Sequence, residues 1–234
     1  GRHSKFFKED DYYGNGDQMI RYTIRPDSPF LSEGRDLLIS EFGREYATYF
    51  SILQLIASGK TSQSEIDSII GKNTGAYLAN LEKEYSLINR NKPMFSKPES
   101  RNSRWCLNDN YLMFWFRFIF PNLSMIELGK NNMLEQFILK NYEQYSGRIL
   151  ERYFRDMIAE SEDITDVGNY WDNKGENEID LIALNRFENK ALIAEVKRNF
   201  HKVNIARLYE KVATIKKQLA HYTLDIKGLS MQDM

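Results

Sequence analysis

Four residues in the last third of the sequence could do chemistry together: Glu151, Asp180, Glu195 and Lys197. Glu195-Val196-Lys197 and Asp180 lie in two separate apolar runs, among Ile193, Ala194 and Val196 and among Ile179, Leu181 and Ile182. Strand side chains repeat every two residues, so Glu195 and Lys197 share a face, and register can bring Asp180 beside Glu195 from a neighbouring strand. Two adjacent carboxylates repel and lose hydration, which is costly unless a divalent cation neutralises them. A lysine beside them can orient or activate a metal-bound water, or steady charge developing on a phosphate. The alternative is a cross-strand ion pair of Glu195 with Lys197 or Lys190, with Asp180 at a strand edge. For Glu151 the alternative is an i,i+4 surface pair with Arg155.

The elements that must position these residues follow from periodicity. Apolar residues from Leu134 to Met157 predict a long helix over about 133–159, with an interruption near Gly147. Three antiparallel strands follow, Thr165–Trp171, Glu178–Leu184 and Ala191–Val196, and a basic helix over about 204–221 closes the domain. Gly168, Tyr170 and Trp171, on the strand before Asp180, read as core packing first and as substrate stacking second.

Upstream the grammar is helical. Residues 1–45 form an extension with glycines at Gly14 and Gly16 and a short helix announced by Asp27-Ser28-Pro29. Helices are predicted for Tyr46–Ala57, from Ser62 (with Glu65 completing a capping box) to Gly71, and from Asn73-Thr74 through Tyr85. Strands Leu87–Arg90 and Arg104–Leu107 come next, joined by a basic loop, and a helix over Asp109–Phe120 ends at Pro121. Three short helices and a two-stranded ribbon are winged helix-turn-helix grammar. The third helix would expose Thr74, Asn80, Glu82, Lys83 and Glu84, a mixed set for a major-groove reader. A docking spacer between proteins is the alternative use.

Composition narrows the classes. With 42% hydrophobic and 13% aromatic residues in 234, the chain can build real cores and is not a disordered segment. One cysteine, Cys106, and three histidines (His3, His201, His221) without ligand spacing exclude an internal disulfide and a zinc site. No apolar run approaches a membrane span, and no signal peptide is recognisable, so a cytoplasmic protein without a membrane partner is expected. The chain opens Gly-Arg-His without an initiator Met, which suggests a piece of a longer protein. Net charge is −1, yet residues 88–104 carry Arg90, Lys92, Lys97, Arg101 and Arg104 against Glu99 alone. Residues 197–217 carry seven basic residues, Arg198 and Lys202 among them, against Glu210. Two basic patches on a neutral chain suggest surfaces for an anionic partner; solvated loop and helix faces are the alternative. Ser58-Gly59-Lys60-Thr61 ends like a phosphate-binding loop, but Gln54 stands where that motif needs Gly, and it links two helices. The chain alone should therefore not bind ATP.

The blocks GRILERYFRD, VGNYWDNKGENEIDLIAL and ALIAEVKR resemble the PD-(D/E)XK nuclease superfamily. More narrowly, they resemble the carboxy-terminal domain of the archaeal-type (DEXX-box) ATPases, whose winged-helix pattern is similar to residues 45–122. The resemblance covers about residues 45–200 and implies an α/β (α+β) fold. It assigns 1–45 to the tail of a missing ATPase module, 46–122 to a winged helix-turn-helix domain and 123–234 to a restriction-endonuclease-like domain. It implies a Mg²⁺- or Mn²⁺-dependent deoxyribonuclease in which Asp180 and Glu195 ligate the metal, Lys197 positions the attacking water and Glu151 completes the outer shell. Arg90, Lys92, Lys97, Arg101, Arg104, Arg198 and Lys202 would contact DNA. ATP would act only through an amino-terminal ATPase module, and oligomeric state is left open. Many domains of this fold lose one catalytic residue and become inactive; here all four positions are filled. The competing function is a catalytically inactive module for DNA or protein binding and assembly.

Overall fold

A computed structural model describes residues 16–25, 28–31 and 33–234. His3, Gly14 and Asp27, used above, lie outside the described residues. The chain is mixed α/β, as its periodicities imply, and its residues pack as two units. One runs up to Arg90 and resumes over Trp105–Asn141; the other comprises Asn91–Arg104 and Tyr142–Met234.

The first unit is built from α1 (Gly16–Thr23), α2 (Glu33–Phe42), α3 (Tyr46–Ala57), α4 (Gln63–Ile70) and α5 (Gly75–Lys83). A ribbon of β1 (Ile88–Asn91) and β2 (Arg104–Leu107) follows, then α6 (Asn110–Phe114) and α7 (Leu123–Glu127). The helix boundaries have local causes. Ser62 Oγ accepts from the Glu65 N–H, and Gly71 closes α4 at φ 78°, a left-handed value cheap for glycine. Asp109 caps α6 through the Leu112 N–H at 2.8 Å. The predicted helix to Phe120 is not uniform: Trp115–Ile119 is a π turn and Phe120–Asn122, containing Pro121, a 3₁₀ turn. This widening accompanies a dense aromatic core. Phe50 on α3 meets Trp115, Phe116 and Phe120 edge-on at centroid distances of 6.0, 5.2 and 5.3 Å, geometry that aromatic quadrupoles favour. Thr74, expected on an exposed surface, is fully buried, because its N–H and hydroxyl both donate to Asp67 Oδ1. The hydrogen bonds it makes within the fold take it out of any reading face.

The second unit centres on a four-stranded sheet, β3 (Asp166–Trp171), β4 (Glu178–Asn185), β5 (Lys190–Val196) and β6 (Thr223–Leu229), in that spatial order. The first three are antiparallel, and β6 runs parallel to β5. Two helices cover it: α8 (Asn131–Ala159) and, between β5 and β6, α9 (Ile205–Thr214). Alternation along the strands feeds two cores. Ile182, Leu184, Ala191 and Ile193 pack with Leu208 and Val212 of α9. Leu181, Ala183, Ala194 and Val196 pack with Leu150 and Phe154 of α8.

Three expectations change here. The long helix is unbroken through Gly147. The closing helix stops at Thr214 rather than 221, and the chain then turns into β6, a strand absent from the sequence reading. Its signal is present, since Leu224 and Ile226 alternate with Asp225 and Lys227. Among the described residues, no helix is long and apolar enough to cross a membrane.

Candidate active site

β4 is irregular at Asp180. Gly168 faces Ile182 while Tyr170 faces Ile179, so β4 has one more residue than β3 over this stretch. Such a bulge re-aims side chains. On its other side, the β4–β5 ladder ends at Leu181–Ala194, whereas β5 and β6 stay paired through Val196–Leu229. Beyond that end, the Asp180 side chain takes the place of main chain: Oδ2 accepts the Val196 N–H at 2.9 Å. Asp180 therefore lies on an interior strand of the sheet, just beyond the point where pairing with β5 ends.

Lys197 gathers the carboxylates. Its Nζ lies 3.2 Å from Asp180 Oδ2 and 3.2 Å from Glu195 Oε1, and donates to the Val196 carbonyl at 3.1 Å. Glu195 is buried, and its Oε2 accepts the backbone N–H of Asn204 at 3.1 Å. Asn204 is the N-cap of α9, so this carboxylate sits where a helix N-terminus favours negative charge. Gly228 makes that approach possible. It faces Glu195 across the β5–β6 ladder, and a Cβ there would stand 2.5 Å from Val203 Cγ1, next to Asn204. Lys190 is not part of the cluster; it pairs with Glu188 at 2.6 Å.

Glu151 approaches from α8. Burial, and then the charge of Asp180, push its carboxyl up to about 7, against smaller opposing effects of Arg155, Lys197 and Arg148. Arg155 gives a hydrogen bond to the Asp180 carbonyl at 3.1 Å and acts on Glu151 through its charge. Burial opposes the Lys197 charge, but Asp180 and Glu195 outweigh it and raise the ammonium's pKa, so Lys197 stays protonated. Asp180, Glu195 and Lys197 thus meet where two strands part, and Glu151 feels the charges of Asp180 and Lys197 from α8.

An ion of the Mg²⁺ type binds through one or two carboxylates and keeps several waters. Asp180 and Glu195, each 3.2 Å from the Lys197 Nζ, are the two that could hold one. Among the described residues there is no cluster of three or more His, Cys, Asp or Glu arranged to hold a metal.

The basic residues divide. Arg198 lies over the Tyr142 ring at 5.5 Å, and Lys202 pairs with Glu143. Lys92 donates within its own loop to the Pro98 carbonyl, and Arg104 pairs with Glu178 while lying 4.5 Å over the Trp171 ring. Lys97 and Arg101 are exposed. Arg90 belongs to the first unit, 5.7 Å over Trp105. Trp171 is buried and donates to Asn102 Oδ1 at 2.8 Å, a packing role. Sequence reasoning missed Asn204 and Gly228, and the reach of Arg155 to the Asp180 carbonyl. The Asn204 cap lay within reach as an Asn before a helical run; the other two contacts depend on tertiary neighbours.

Residues 115–209 match a described family. Its description is "Archaea bacterial proteins of unknown function", and the matched stretch contains Glu151, Asp180, Glu195 and Lys197. An uncharacterized protein of Methanocaldococcus jannaschii is similar, 37% identical over 191 residues, which cover 77% of this chain and 42% of that protein. The chain thus spans less than half the length of that relative. No solved structure matches it.

Proposed function

We propose that the second unit is a metal-dependent nuclease domain that hydrolyses DNA phosphodiesters, and that the helical unit with its ribbon is a winged helix that engages DNA. The observation that carries this reading is the convergence of Asp180, Glu195 and Lys197 at the splayed end of β4 and β5. The order helix, three antiparallel strands and helix supports it, because it carries in sequence the three blocks that resemble the superfamily.

Asp180 and Glu195 would hold a Mg²⁺ or Mn²⁺ ion, which when bound supplies charge neutralisation and a polarised water. Lys197, kept protonated, cannot serve as a base; it donates hydrogen bonds and offsets charge growing on phosphate oxygens. Asn204 fixes the Glu195 carboxylate by its N–H, and the Val196 N–H fixes that of Asp180. Glu151, with a carboxyl titrating at about 7, holds or releases a proton at the rim of the cluster near neutral pH. Consistent with the incomplete coverage of the longer relative, coupling to an ATPase module elsewhere in the full protein is part of this proposal.

One observation favours a second reading. Lys197 already neutralises both carboxylates, so the cluster could be a structural ion-pair knot in a non-catalytic binding or assembly module. A Mn²⁺ titration followed by calorimetry separates the two. The nuclease reading predicts binding that disappears in Asp180→Ala together with plasmid cleavage. Absence of both binding and cleavage in the wild type would leave only the scaffold.

A further inference from the structure

The basic loop between β1 and β2, read from sequence as the wing of the helical unit, packs into the second unit. Its anchors are specific. The Met94 N–H donates to the Asn169 carbonyl at 2.9 Å, adding a hydrogen bond to the outer edge of β3. Met94 and Phe95 pack against the core that lines the α9 side of the sheet. Gly168 leaves the room: a Cβ there would stand 2.7 Å from Met94 Cγ. Asn102 receives the Trp171 indole N–H, and Arg104 pairs with Glu178. An edge strand that would otherwise expose unpaired backbone is thereby covered.

These anchors place the loop at the same end of the sheet as the candidate site. They fall on β3 residues 168–171 and on Glu178; across β3, Tyr170 faces Ile179, the neighbour of Asp180. Strands lie ~4.8 Å apart, so the loop backbone stands about two spacings, roughly 10 Å, from the Asp180 strand position. That is about three base-pair steps of duplex at ~3.4 Å each. The loop's two outward cations, Lys97 and Arg101, are exposed, and neither side chain has an ion-pair partner among the described residues. Glu99 is the loop's one acidic residue, while Lys92 and Arg104 are committed to the loop's own structure and its anchoring.

We infer that loop 91–104 is an arm of the candidate active site that grips the phosphate backbone of duplex DNA through Lys97 and Arg101. The inference rests on the DNA-cleaving reading above but goes further, since it transfers the loop from the helical unit to the cleavage site. Each phosphate contact contributes about 0.9 to the slope of log K against log salt. For the full chain in Ca²⁺, binding to a labelled duplex should therefore lose about two units of slope in the double variant Lys97→Ala/Arg101→Ala. Lys97→Arg/Arg101→Lys should retain the slope, and thermal melts should match the wild type, since neither side chain anchors the loop. An unchanged slope in the double variant, or no binding by wild type, overturns the inference. Wild type that binds with the predicted slope loss but never cleaves in Mg²⁺ or Mn²⁺ overturns catalysis alone. Wild type that cleaves while the double variant binds normally overturns the arm alone.

Discussion

The two units bury different things. The first is organised round rings: Phe50, Trp115, Phe116 and Phe118 are almost wholly inaccessible, and among its described residues the buried polar side chains are Ser28 and Thr74. The second unit's sheet has an aliphatic core, yet it buries the Glu195 carboxylate where β4 and β5 part and half-buries Asp180 and Lys197 beside it. Burying an ionised group costs several kcal/mol unless it is paired, and here Lys197 pairs with both carboxylates. Under the proposed function, the aromatic core maintains a shape and the charged cluster at a strand end maintains a reaction geometry.

The largest separation between the two should appear in activity. Asp180→Ala is predicted to lower DNA cleavage on the order of a thousandfold, the scale seen when one fixed electrostatic group is removed from a catalytic site. By circular dichroism it should still fold as wild type does, melting somewhat lower because the Val196 N–H loses its acceptor. Phe50→Ala reverses the pattern. A fully buried phenylalanine is expected to cost about 3–5 kcal/mol of stability in urea titration, while the residual folded fraction still cleaves.

A third test uses pH. Glu151 titrates at about 7 in the fold against an ordinary 4.5, so between those values the native chain binds more protons than the unfolded one. Stability should then fall as pH rises from about 4.5 to 7. At ~1.4 kcal/mol per pH unit, discounted for partial exposure, the loss is on the order of 2 kcal/mol. Glu151→Gln should flatten that slope; a slope that survives the substitution contradicts the assigned burial. The smallest effect is positional. Gly228→Ala forces Val203 aside and is expected to cost about 1–3 kcal/mol. It should also weaken the Asn204–Glu195 hydrogen bond, seen as faster hydrogen exchange at the Asn204 amide. Unchanged exchange at that amide would separate Gly228 from the site.

Much of this comparison was legible in the residues. Ser62, Glu65 and Gly71 announce α4 because capping is local chemistry, and alternation around Glu195 and Lys197 announces β5 because pleating fixes the face. The mixed α/β class followed from those periods. What stayed hidden depends on distant partners. The bulge that re-aims Asp180 exists only in its pairing with β3. The raised carboxyl of Glu151 arises from burial and from Asp180, twenty-nine positions away in the sequence. Loop 91–104 looked like a free wing because its lysines and arginines are visible in sequence, whereas the space above Gly168 that receives Met94 is not. Thr74 was misjudged for the same reason, since nothing local reveals that Asp67 will bind it.

Cleavage of supercoiled plasmid by matched preparations of wild type, Asp180→Ala and Lys197→Ala, with Mg²⁺, Mn²⁺ or chelator, tests the central claim most directly. The account predicts nicking by wild type that requires the metal and vanishes in both variants, with all three proteins equally folded. Metal-independent nicking, or equal nicking by wild type and Asp180→Ala, would contradict it.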